Sequence, residues 1–122
     1  NNTANIAQEE LFGPVLTCVI FDKESEALSL ANETKYGLAA SIWTENLARA
    51  HSVANNLDCG IIWINDHHKN DPSSPWGGFK NSGVGRENGF EAYMQYTHTR
   101  SIIANYSRKF DDWFSDQASR YS

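Results

Sequence analysis

Residues 38–65, LAASIWTENLARAHSVANNLDCGIIWIN, decide the fold because they change from strand-like to helical periodicity and back. The apolar, β-branched runs at 38–44 and 61–65 predict strands. Between them, apolar side chains recur on one helical face, and Asn46 stands where a helix N-cap is expected. A strand, a helix and a strand with short links predict parallel pairing with a right-handed crossover.

The residues before this stretch extend the pattern to a βαβαβ unit. VLTCVIF at 15–21 is a continuous apolar run, which predicts a strand buried on both faces. A helical apolar stripe follows at 24–35, and Gly37 supplies the stop. The predicted fold class is therefore α/β, with a parallel βαβαβ core.

A long loop at 66–89 follows, and it holds two of the three prolines and five of the eight glycines. Loops of this length inside a compact domain are usually functional or disordered, and Trp76 favours order. A short helix near 91–95, a strand at 101–106 and a tail at 107–122 complete the predicted chain.

Composition excludes several classes of function. Ten Lys and Arg against fifteen Asp and Glu give a net charge of −5, which argues against a nucleic-acid partner. No run approaches the roughly 20 apolar residues of a membrane span, and no signal peptide is recognisable, so a cytosolic (cytoplasmic) location is expected. The chain begins at Asn1 and its one methionine is Met94, so we expect further coding sequence upstream.

Two motifs of the long loop are candidate ligand sites. GVG at 83–85 with Gly89 approximates a dinucleotide-binding motif, but it follows a loop rather than a strand, so turn-forming glycines are favoured. DHH at 66–68 with Asp71 suggests a metal site, but adjacent side chains of an extended segment point to opposite sides. A polar loop at a pocket rim is favoured, and no metal is predicted.

Cys18 and Cys59 are poor candidates for a nucleophile. A reactive thiolate needs partial exposure and a nearby positive charge or helix N-terminus. Cys18 lies within a predicted strand and Cys59 lies beside one, so both are expected to pack as small hydrophobic residues. His51 lies beside the apolar stripe of the second helix and is expected to be a partly buried structural residue.

The acidic turn EELFGP at 9–14 precedes the first predicted strand. The Glu10 carboxylate has the chemistry to accept two hydrogen bonds from a vicinal diol, such as a ribose. Phe12, two positions on, would lie on the same side of an extended chain. From the residues alone, a solvated acidic turn is the simpler interpretation.

Four motifs, in the same order, resemble those of the aldehyde dehydrogenase superfamily. They are EELFGPV at 9–15, NETKYGL at 32–38, GIIWIN at 60–65 and SPWGGFKNSGVGRENG at 74–89. The resemblance covers most of residues 9–106. Trp76 stands where many members have Phe, which is similar to the betaine-aldehyde dehydrogenase branch.

The resemblance implies an enzymatic activity whose catalytic residues lie outside this chain. The family oxidises aldehydes with NAD or NADP: a cysteine thiolate forms a thiohemiacetal, hydride passes to the nicotinamide, and a glutamate assists thioester hydrolysis. These residues and the Rossmann domain precede the matching segment. Residues 1–100 would therefore be the C-terminal part of the catalytic domain, with no catalytic residue and no activity alone, and 101–106 the oligomerisation strand before the tail.

The resemblance also implies roles for five residues. Glu10 would hold the nicotinamide ribose and Phe12 would pack beside it. Trp76 would line the aldehyde pocket, with His68 and Asn70 at its entrance. These are positioning roles rather than chemical ones.

Betaine aldehyde is the leading substrate prediction, with an aromatic or a small polar aldehyde close behind. A cation–π contact between Trp76 and a trimethylammonium group contributes about 0.5 to 2 kcal/mol. However, one aromatic ring is not a cage, and Lys69 would repel a cation. The polar entrance disfavours a long apolar substrate.

A homo-oligomer, a dimer or a tetramer, is expected because an unpaired apolar strand edge at 101–106 invites association. Two alternatives stay open. One is a non-catalytic binding or assembly module that keeps the fold. The other is an independent enzyme that uses His67, His68 or Cys59.

Overall fold

The computed structural model describes residues 2–107. Across these residues, every helix is too short or too polar to cross a membrane. In chain order the elements are α1 (Asn5–Gln8), α2 (Glu24–Asn32), β1 (Tyr36–Gly37), β2 (Ala39–Ile42), α3 (Leu47–Ala54), β3 (Ile61–Ile64), β4 (Phe79–Lys80) and α4 (Gly89–Gln95).

The predicted strand–helix–strand unit is confirmed. β2 and β3 pair in parallel, with Ala39 opposite Ile61 at one end of the ladder. The connecting helix α3 begins after Asn46, whose side-chain oxygen accepts a hydrogen bond from the Arg49 N–H at 3.0 Å. Ala50 faces inward and is the one buried hydrophobic residue within residues 2–107. The fold is α/β, and a second, antiparallel ladder joins β1 to β4.

The prediction of a first strand at 15–21 is wrong for the described chain. The run has no regular secondary structure, and Leu16 and Ile20 are 86% and 92% exposed. A strand needs a hydrogen-bonding neighbour, and residues 2–107 place none beside this run. Its β-branched residues favour a strand only when neighbouring strands or helices cover their side chains. The described chain therefore contains one βαβ unit instead of βαβαβ.

Residues 101–106 also lack strand structure in the described chain. Ile102 and Ile103 are 83% and 96% exposed. Pairing of this segment with another subunit stays a prediction. Of the predicted tail at 107–122, the residues from 108 onward lie outside the described range.

Two asparagine side chains form pairs of hydrogen bonds with the backbone, one at the end of the parallel ladder and one between α2 and the turn before β3. The Asn65 amide donates to the Thr44 carbonyl at 2.9 Å and accepts from the Thr44 N–H at 2.8 Å. The Asn32 amide accepts from the Asp58 N–H at 2.9 Å and donates to the Asn56 carbonyl at 2.8 Å. Each amide supplies the donor and the acceptor that a further strand residue would offer.

Candidate functional site

Four aromatic rings meet where β3 runs into the long loop, and we call Trp63, His67, His68 and Trp76 the ring cluster. The Trp63 and Trp76 centroids are 5.9 Å apart, and His68 packs edge-on against Trp76 at 6.0 Å. His67 packs edge-on against Trp63 at 5.6 Å. These spacings lie in the favourable range for aromatic pairs.

A side-chain hydrogen bond ties the long loop to β3, and two backbone hydrogen bonds close the loop on itself. The Trp63 indole N–H donates to the Lys69 carbonyl at 2.8 Å. Trp76 and Glu87 exchange two backbone hydrogen bonds, each of 2.7 Å. The Trp76 backbone is therefore fixed within the loop and its ring packs against Trp63, in agreement with the order predicted from this aromatic residue.

A groove of about 220 Å³ lies beside the ring cluster, and we call it the Trp76 groove. Trp76 and Asn70 both line it, and His68 contacts the Trp76 ring. The structure thus brings together the three residues predicted for the substrate pocket, while their role stays a prediction. The lining residues are Ile61, Ile62, Trp63, Lys69, Asn70, Asp71, Ser74, Pro75 and Trp76.

The two neighbouring carboxylates of the acidic turn have different surroundings. Glu9 forms an ion pair with Lys35 at 2.9 Å, and this hydrogen bond raises the pKa of Lys35 above its ordinary value. The Glu10 carboxylate forms no hydrogen bond or ion pair with any residue in 2–107. Both line an open groove of about 390 Å³, together with Thr34 and Tyr36, which we call the Glu10 groove.

Phe12 is fully exposed and is not among the residues that line the Glu10 groove. The segment is not extended here, because the Gly13 N–H bonds to the Leu11 carbonyl at 2.9 Å in a three-residue turn. The expectation that Glu10 and Phe12 share one side of an extended chain is therefore not met in the described chain.

The structure corrects two side-chain placements. Cys18 is exposed, because its segment has no covering sheet. His51 is also exposed, because α3 packs through the side that carries Ala50 and leaves the His51 side outward. Cys59 is half-buried as predicted, and burial raises the pKa of its thiol. A raised pKa disfavours the reactive thiolate at neutral pH.

No group of three or more His, Cys, Asp and Glu side chains in the described part of the chain is placed to hold a metal ion. Asp71 is instead engaged locally. Its carboxylate accepts hydrogen bonds from the Ser73 N–H at 2.8 Å and from the Ser73 hydroxyl at 2.7 Å. These two bonds lower the pKa of Asp71 below its ordinary value.

The glycines of the long loop form turns, as the sequence favoured. Gly83 and Gly85 have φ values of 135° and 86°, which other residues rarely adopt. The Arg86 guanidinium spans the turn and donates to the carbonyls of Gly78 at 3.1 Å and Gly85 at 2.6 Å. Lys80 ties the same loop to α2 by donating to the Asn32 carbonyl at 2.7 Å.

The fold and the ring cluster together define a class of protein. In α/β proteins, small ligands bind beyond the carboxyl ends of parallel strands, and the ring cluster lies at that end of β3. A family model described as "Aldehyde dehydrogenase family" matches residues 1–102. The chain belongs to the aldehyde dehydrogenase family.

Individual relatives agree with the family match. The chain is 48% identical over 96 residues to a betaine aldehyde dehydrogenase of Vibrio vulnificus (strain YJ016), covering 79% of this chain and 20% of that protein. The chain therefore spans about a fifth of the length of the curated relatives it matches.

Solved structures give the same result. A betaine aldehyde dehydrogenase from Staphylococcus aureus in complex with NAD+ superimposes with a TM-score of 0.89 at 42% identity, over 95% of this chain and 23% of that one. An indole-3-acetaldehyde dehydrogenase of P. syringae, in complex with NAD+ and IAA, gives a TM-score of 0.81 at 48% identity, over 84% and 21%.

Proposed function

We propose that this chain is the C-terminal portion of an NAD(P)-dependent aldehyde dehydrogenase, which oxidises an aldehyde to the carboxylic acid. Family membership supports the reaction. The ring cluster carries the proposal, because it places Trp76 and His68, two of the three predicted pocket residues, at the carboxyl end of β3. The exposed apolar side chains of 15–21 and 101–106 support packing against further parts of a larger, oligomeric enzyme.

The nicotinamide cofactor supplies the hydride acceptor, and two residues of this chain have the chemistry to hold its ribose. The Glu10 carboxylate is open to accept two hydroxyl donors, since Lys35 engages Glu9 instead. The uncovered Phe12 ring offers an apolar surface two residues further along the chain. Both residues would position the cofactor, and the cysteine nucleophile would come from outside this chain.

The proposed substrate class is an aldehyde that carries a trimethylammonium group, as in betaine aldehyde. Trp63 and Trp76 present two indole rings to the Trp76 groove, which is a better cation site than one ring. Lys69 lies 3.8 Å from the Asp66 carboxylate, which offsets its charge. An aromatic aldehyde is the second candidate, because the P. syringae relative is an indole-3-acetaldehyde dehydrogenase.

The direct test compares this chain with the intact protein that carries it. We expect the intact protein to reduce NAD+ or NADP+ when an aldehyde is added, and this chain alone to form no reduced cofactor. Absorbance of the reduced nicotinamide measures both. An intact protein that oxidises no aldehyde would favour the non-catalytic binding or assembly module. Turnover by this chain alone would contradict the placement of the nucleophile.

The cofactor contact is tested by removing each carboxylate in turn from the intact enzyme. Glu10→Ala is expected to raise the KM for the dinucleotide about 10- to 100-fold, because hydrogen bonds to a charged group are strong. Glu9→Ala is the matched control, and it should change that KM by less than about threefold, because Glu9 is bound to Lys35. Equal effects of the two variants would contradict the assignment of Glu10.

A further inference from the structure

A hydrogen bond between Ser41 and His67 joins β2 to the start of the long loop. Ser41 Oγ and His67 Nδ1 are 2.9 Å apart. Ser41 lies directly opposite Trp63 in the parallel ladder, so the two side chains project from the same face of the sheet. The His67 ring packs edge-on against Trp63 at 5.6 Å. His67 therefore contacts both Ser41 and Trp63, which are paired in the ladder.

His67 and its two neighbours also fix the path of the loop that follows. The His67 N–H donates to the Asp66 carboxylate at 2.8 Å, and His68 adopts a left-handed backbone with φ 56°. The reversed chain brings the His68 ring within 6.3 Å of Trp63 and 6.0 Å of Trp76. A displacement of His67 would therefore move the His68 ring, which contacts both tryptophans.

We propose that Ser41 is a positioning residue, which acts through His67 to hold the Trp63–Trp76 pair at the Trp76 groove. Ser41 does not itself line that groove. This inference rests on the proposed function and deepens it, because it assigns a role in substrate specificity to a residue of β2 that lies outside the groove. Loss of the hydroxyl would leave the His67 ring without its link to β2, and the indole pair would lose its fixed separation.

The test uses the intact enzyme and three serine variants. Ser41→Ala is expected to raise the KM for betaine aldehyde about 3- to 10-fold and to leave kcat within about twofold, the effect of one lost neutral hydrogen bond. Ser41→Thr keeps a hydroxyl and should restore the KM. Ser52→Ala, at an exposed position of α3, is the matched control and should change neither constant.

Tryptophan emission gives a second measurement that does not depend on turnover. Ser41→Ala should shift the emission to longer wavelength, because Trp63 loses its packed neighbour, and Ser41→Thr should not. Unchanged emission and unchanged KM in Ser41→Ala would overturn the proposal. So would a threonine variant as impaired as the alanine variant. An enzyme inactive on every aldehyde would contradict the proposed function, while the emission comparison would still decide the role of Ser41.

Discussion

Replacing Gly60 with alanine is expected to lower the free energy of unfolding by about 3 kcal/mol or more, near the upper end for overpacking. A Cβ at this position would overlap the Gly77 carbonyl oxygen and lie 2.8 Å from the Gly77 carbonyl carbon. These are backbone atoms, so no side chain can rotate away. The long loop would have to move off the start of β3, which begins at the next residue.

Gly13→Ala is the matched control for this substitution. A Cβ built on Gly13 meets no atom within 4 Å, so its free energy of unfolding should stay within about 0.5 kcal/mol of the parent. Chemical denaturation of the intact protein measures both variants. A Gly60→Ala protein as stable as Gly13→Ala would show that the loop does not rest on this strand.

Local rules were sufficient for the β2–α3–β3 unit. Asn46 caps α3 through its own side chain, β2 and β3 pair with each other, and α3 buries Ala50. The cap, the strand pairing and the helix packing all lie within about 30 residues, so the periodicity of the sequence is sufficient to predict the unit. The antiparallel pairing of β1 with β4 was not predicted, because two-residue strands carry no periodicity.

The run at 15–21 shows where such rules fail. Its apolar character predicts that other residues cover it. The sequence of the run does not specify which residues these are or how many strands they form. Cys18 was misplaced for the same reason, because its burial was inferred from a sheet that residues 2–107 do not form. An apolar side chain is therefore exposed wherever the residues that would cover it are not part of the described chain.

The candidate site was only partly visible in the sequence. Trp76 followed from the motif at 74–89, and His68 and Asn70 followed from the loop segment before it; the structure places the three near one another. Trp63 is predicted only as part of a buried strand, although a tryptophan four residues before the first of two adjacent histidines was the available signal. The Ser41–His67 contact depends on the register of the parallel ladder, and no spacing in the sequence specifies that register.

Replacing Trp76 with alanine in the intact enzyme is expected to raise the KM for betaine aldehyde about 10- to 30-fold, because a desolvated cation–π contact contributes about 2 kcal/mol. Trp76 is held by two backbone bonds to Glu87, so the substitution removes the ring and leaves the loop closed. Trp76→Phe keeps an aromatic face and should stay within about threefold of the parent.

The neutral isostere 3,3-dimethylbutanal separates charge from shape, because it has the same outline without the positive charge. Trp76→Ala should affect this aldehyde several-fold less than betaine aldehyde. Trp43→Ala is the matched control, since Trp43 is 67% exposed and lines a different groove, and it should leave both KM values unchanged. Equal losses for the two aldehydes would mean that Trp76 acts by packing alone. A preference for indole-3-acetaldehyde over both would favour the aromatic substrate class, because stacking on Trp63 and Trp76 requires no charge.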